Sequence, residues 1–169
     1  MAVKDYTGPP ARLKQFMIFD FSEFYAMLTR IIKDRGFSGY IENFHTEFNN
    51  PDGTKTTVFS WGAAKKVEPY TRLCIDFDVK AVTKDTFLES EGKTMAEGTI
   101  EFTISSYMMR DVEDEWGFRN GNPTRRFLRD LYDKFLNVDR VGSDIKRLKA
   151  DTDAAVADLK AYMKLHKSE

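Results

Sequence analysis

The sequence predicts an α+β fold: an antiparallel sheet of about five to six strands, covered on one face by helices and closed by a long C-terminal helix. Three observations lead there. Segments that alternate apolar and polar residues follow one another through short turns between residues 37 and 109, and strands joined by short turns pair antiparallel. An early segment instead repeats its apolar residues at helical spacing. The last third of the chain reads as helices, which a sheet with one apolar face needs as its second layer.

Taken in order, residues 1–10 are polar, contain Pro9 and Pro10, and read as a loose N-terminal arm on a single domain spanning 1–169. Residues 11–19, ARLKQFMIF, form a first strand. Asp20 then stands as a helix N-cap with Glu23 three residues on. Phe21, Phe24, Tyr25, Leu28, Ile31 and Ile32 make the stripe of the first helix, and Gly36 stops it after Lys33 and Arg35. Residues 37–48 return as a strand, with Tyr40, Phe44 and Phe48 expected on one face. The run Asn49-Asn50-Pro51-Asp52-Gly53 is a turn, because Pro fixes φ and Gly or Asn accepts a positive one. Residues 54–62 form the next strand, and Ala63–Pro69 reads as a connection.

Residues 70–82 alternate most cleanly, with Leu73, Ile75, Phe77 and Val79 against Arg72, Cys74, Asp76, Asp78 and Lys80. A hairpin excursion over 83–97 turns at Glu91-Gly92-Lys93, and 98–109 alternates again through Ile100, Phe102 and Ile104. The loop 111–121 is acidic at its start and holds Trp116. Asn122 and Pro123 then open a helix with the stripe Phe127, Leu128, Leu131, Tyr132, Phe135 and Leu136. A break at Gly142-Ser143 is expected before the last helix. Its Ile145, Leu148, Thr152, Ala155, Leu159 and Tyr162 recur at alternating steps of 3 and 4 residues, a heptad-like seam.

Composition narrows the function classes. Net charge is −1 with 31% charged residues, which argues against strong non-specific binding to nucleic acid. A single cysteine, Cys74, excludes an internal disulfide. The first residues carry no signal-like apolar core, and no apolar run approaches the ~20 residues that span a bilayer. A soluble, cytoplasmic protein is therefore expected. Aromatic residues make up 14% of the chain, enough to fill a core and to line a cavity or contact patch as well.

Two stretches, DFSEFYAMLTRIIKDRGF (20–37) and RRFLRDLYDKFLNVDRV (125–141), resemble parts of a family of small uncharacterised archaeal proteins. The resemblance implies a cytoplasmic archaeal protein and carries no functional residue. The order of elements is also similar to that of helix-grip ligand carriers, a likeness of fold alone.

Candidate chemistry is sparse. His45 and Glu47, with Asp76 and Asp78, share the polar face of the expected sheet, but no HExxH or CxxC spacing supports a metal. Cys74 has only His45 as a plausible base, and a mid-strand cysteine is commonly inert. Asp111, Glu113, Asp114 and Glu115 lie near Trp116, where a carboxylate pKa can rise, yet charge runs are usually solvated. Arg125 and Arg126 stand in the first turn of their helix, against the macrodipole. With Arg129 and Trp116 they offer an anion-binding group, although Arg126–Asp130 and Arg129–Asp133 also fit as i,i+4 ion pairs. Trp61 and Tyr107 complete the candidate binding residues. No cofactor or metal is expected.

The resulting expectation is a non-catalytic binding or adaptor protein acting through protein–protein contact, with self-association through the C-terminal helix as one mode. The alternative is a carrier of a small apolar ligand in an aromatic-lined cavity between the sheet and that helix. Nucleic acid and membrane are not among the expected partners.

Overall fold

The computed structural model describes residues 3–68, 70–88, 92–110, 123–135 and 138–166. Their elements are β1 (Val3–Tyr6), β2 (Ala11–Phe19), α1 (Phe21–Asp34), β3 (Gly39–Asn49), β4 (Lys55–Lys66), β5 (Thr71–Leu88), β6 (Lys93–Arg110), α2 (Pro123–Phe135) and α3 (Val138–Leu165). The α+β class, the antiparallel sheet and the long C-terminal helix are as the sequence predicts.

Residues 3–6, expected in a loose arm, instead form β1. They pair with the end of β6, Val3 opposite Arg110 and Tyr6 opposite Tyr107. Gly8, Pro9 and Pro10 then interrupt the strand, and β2 resumes along the same side of β6 from Ala11 opposite Ile104 to Phe19 opposite Ala96. Six strands therefore fill five positions, in the order β1/β2–β6–β5–β4–β3, all antiparallel. The connection expected at Ala63–Pro69 is shorter, because β4 runs on to Lys66.

The central pair, β5 and β6, is 18 residues long on each side and reverses at Gly92, whose φ is +63°. A Cβ at position 98 would sit 2.0 Å from the Val82 carbonyl oxygen, so only glycine allows these two strands to approach there. Alternation sends Phe59, Trp61, Ile75, Phe77, Val79, Ile100, Phe102 and Ile104 to one face, and all are buried.

Helices α1 and α3 cover that face. Asp20 caps α1 by accepting the Ser22 N–H at 2.7 Å. The helix ends at Gly36 (φ +74°), where the Gly36 N–H donates to Lys33 O and the Phe37 N–H to Ile32 O, satisfying two terminal carbonyls. Phe24 drops from α1 among Phe19, Phe59 and Phe102, with ring centroids 5.5–6.2 Å apart. Leu148, Thr152, Ala155, Leu159 and Met163 of α3 are buried against the protein's own core. Arg35 ties the two helices, donating to Asp151 O at 3.1 Å and to Asp158 Oδ2 at 2.6 Å.

Gly142 and Ser143, expected as a helix break, lie inside α3. A mid-helix glycine costs about 1 kcal/mol, and Val141 and Ile145 on either side pack on the core. The apolar stripe of α2 is exposed at Phe127, Leu128, Leu131, Tyr132 and Phe135, while Leu136 lies outside the described residues.

Candidate functional site

The far edge of the sheet is β3. It pairs with β4 on one side, from Gly39 opposite Ala64 to Asn49 opposite Lys55. Among the described residues no strand pairs with its other side. A β-bulge between Glu42 and Phe44 shifts the register, so residues before and after it face opposite ways relative to simple alternation. Tyr40 lies opposite Ala63 on the helix-covered face, whereas Phe44 and Phe48 lie opposite Ser60 and Thr56 on the open face. The expected single stripe of Tyr40, Phe44 and Phe48 is thereby split.

The same shift moves His45 and Glu47 to the helix-covered face, opposite Phe59 and Thr57. Asp76 and Asp78 stay on the open face, opposite Gly62 and Ser60. The four residues considered for a metal thus lie on two sides of the sheet. No group of three or more His, Cys, Asp or Glu side chains suited to a metal occurs among the described residues. Cys74 and His45 are separated in the same way, and burial pushes the Cys74 thiol pKa up, away from a reactive thiolate.

On the helix side, the bulge assembles a polar rim around an aromatic stack. Trp61 is buried between Tyr25 and Tyr40, with ring centroids 5.5 and 5.1 Å away, and donates its indole N–H to Glu42 Oε1 at 3.2 Å. His45 places Nδ1 3.0 Å from Glu42 Oε1 and Nε2 3.4 Å from Glu47 Oε1. Lys55 Nζ meets Glu47 Oε2 at 2.5 Å. The Lys55 hydrogen bond, with a smaller contribution from His45, holds the Glu47 carboxyl below its ordinary pKa. Burial, aided by the Glu42 and Glu47 charges, pushes Tyr25 up to about 12 and keeps it a neutral phenol. The rim orders the edge strand and presents no activated nucleophile.

On the open face, Ile41, Phe44 and Phe48 are 69%, 49% and 48% exposed. They line the strand whose outer edge pairs with no strand among the described residues. Sequence reasoning missed Tyr25, Glu42 and the bulge itself. A signal was present: Ile41 followed by Phe44 breaks the period of two that Phe44 and Phe48 then keep.

Of the candidate binding residues, Trp61 and Tyr107 have described side chains, and they occupy opposite faces. Tyr107 is buried at the β1 end of the open face, hydrogen-bonded to Asp76, with Lys4 Nζ 4.4 Å from its ring centroid and the Tyr6 ring 5.4 Å away. Burial raises the pKa of Asp76, while the Tyr107 hydrogen bond and Lys4 oppose the rise. Trp116 and the acidic cluster 111–115 lie outside the described residues, as do the side chains of Arg125, Arg126 and Arg129 on α2.

A cavity of about 300 Å³ opens between the sheet and α3. Thr7, Pro9, Ile104, Ser106, Lys149 and Asp153 are among its walls, and no aromatic ring lines it. No helix among the described residues is long and apolar enough to cross a membrane. The chain matches no protein-family model and no curated protein sequence.

Proposed function

We propose that the protein is a non-catalytic binding protein whose working surface is the open edge of β3, where an extended partner segment adds as a further strand. The observation that carries this reading is an eleven-residue edge strand without lysine or proline, flanked on one face by exposed Ile41, Phe44 and Phe48. Free strand edges offer a row of unpaired N–H and C=O groups; the bulge at Glu42–Phe44 interrupts this one, and from Phe44 to Asn49 the strand is regular. Strand addition takes its affinity from main-chain hydrogen bonds and its selectivity from alternate side chains; here Phe44 and Phe48 supply the latter.

A display library of ten-residue peptides, screened against dilute protein, tests the reading. The expected binders alternate β-branched or aromatic residues with polar ones, and the double substitution Phe44→Lys, Phe48→Lys loses them. Failure to enrich any peptide, or equal retention by the double variant, overturns it. A second reading rests on the cavity beside α3. Its lysine, aspartate and hydroxyl walls suit a small polar ligand better than the apolar cargo expected from sequence, and native mass spectrometry of purified protein checks for one.

A further inference from the structure

We infer that the strand added at β3 is β3 of a second copy of this chain, running antiparallel with Thr46 on the two-fold axis. The inference rests on the open-edge reading and names its partner. In an antiparallel pair, residues directly opposite share a face, so a symmetric pairing is defined by the residue on the axis. The outward set after the bulge is Phe44, Thr46 and Phe48, and the inward set is His45 and Glu47.

Centring on Thr46 sets Phe44 against Phe48 of the second copy, His45 against its Glu47, and Thr46 against Thr46. Each is a favourable cross-strand combination: aromatic with aromatic, imidazole with carboxylate, threonine with threonine. The neighbouring choices are worse. A centre on His45 opposes the two imidazoles, sets Phe44 against Thr46 and sends Phe48 to Glu42 across the bulge. A centre on Glu47 opposes two carboxylates. Shifting the centre to Phe44 forces residues across the bulge to meet from opposite faces. Among the centres from Phe44 to Glu47, Thr46 alone satisfies both faces.

The rest of the fold favours closure on a single partner. An isologous pairing uses the same edge of both copies and leaves only the β1/β2 edges at the ends of the joined sheet. Those edges are broken at Pro9-Pro10 and covered by the end of α3, where the Ile18 N–H donates to His166 O at 3.1 Å. Growth therefore stops at two.

Sedimentation equilibrium of the full chain is expected to give a dimer. The Phe44→Lys, Phe48→Lys double variant should weaken association more than about tenfold, because each lost aromatic pair becomes a pair of opposed lysines. In a Cys74→Ser background, Thr46→Cys is expected to form a symmetric disulfide under mild oxidation. Phe48→Cys should not, because position 48 faces position 44 of the other copy. Monomers at all concentrations, or a dimer in which Thr46→Cys bridges no faster than Phe48→Cys, overturns the inference. A monomer that still selects extended peptides loses this inference alone; a monomer that selects none loses the open-edge reading too.

Discussion

Along β2, Lys14 reaches Glu101 at 2.5 Å, Gln15 donates to Met163 O at 2.9 Å, and the Ile18 N–H is taken by His166 O. The strand before it is cut by Gly8-Pro9-Pro10, and Thr7 pins that cut with an N–H donated to Ser106 O at 3.0 Å. Charge, proline and a covering helix end all act on one edge of the sheet, as edge protection requires. Along β3 there is no proline, and among the described residues no helix end covers the edge; its charged Glu42 and Glu47 lie on the helix side, and Ile41, Phe44 and Phe48 stand in solvent. On the proposed reading, the guarded β1/β2 edge leaves β3 as the side where a strand can add.

Loosening the helix end from β2 should have the greatest consequence for the protein. Leu159, in the last third of α3, is fully buried in the core, and truncating such a leucine costs about 2–5 kcal/mol. Leu159→Ala should lower Tm by several degrees and, by loosening the helix from β2, make the protein scatter light on heating in a concentration-dependent way. Lys160→Ala, on the exposed side of the same turn, should change neither. A Leu159→Ala protein that melts like the parent would mean that α3 is not what covers the β2 edge.

A smaller effect on stability, and a larger one on association, is expected at the open edge. Phe44 and Phe48 touch solvent on the face away from the core, so the Phe44→Lys, Phe48→Lys double variant should keep its unfolding free energy within about 0.5 kcal/mol when measured by denaturant titration of dilute protein. Loss of several kcal/mol would show that these rings support the monomer, and the contrast between the edges would then be one of packing alone.

Part of the fold is legible in the residues. The strand at 11–19 and the alternation from Arg72 to Lys80 are read from the residues alone, whereas which strands lie at the edges and which at the centre is not. The seam of α3 reads correctly because Leu148, Thr152, Ala155 and Leu159 keep one period throughout. What resisted reading was non-local. The pairing of Val3–Tyr6 with residues a hundred positions away leaves no trace in a four-residue polar segment. The bulge at Glu42–Phe44 inverts every later side chain, so one inserted residue moved His45 and Glu47 from the open face to the helix side. Gly142 looked like a stop because helix propensity is local, while the packing of Val141 and Ile145 that overrides it is tertiary.

A surface ion pair helps keep β3 attached to the sheet. Glu47 clasps Lys55 of β4, and that hydrogen bond, ahead of the His45 contact, holds its carboxyl below the ordinary value. A carboxyl with a lower pKa in the folded state binds fewer protons there than in the open state, so its contribution rises with pH. It is fully present above the unfolded value of about 4.3 and is lost as pH falls through the folded value. Both partners are substantially exposed, which limits the pair to about 0.2–1 kcal/mol. Hydrogen exchange, corrected for its intrinsic pH dependence, should therefore show β3 amides opening up to about fivefold more often at pH 3 than at pH 6, with β5 amides unchanged. Glu47→Gln should flatten that difference while leaving the Trp61 stack and its Glu42 hydrogen bond in place. If β3 and β5 amides respond alike to pH, or the glutamine variant keeps the slope, the Lys55–Glu47 clasp does not hold the edge, and the bulge and main-chain ladder alone account for its order.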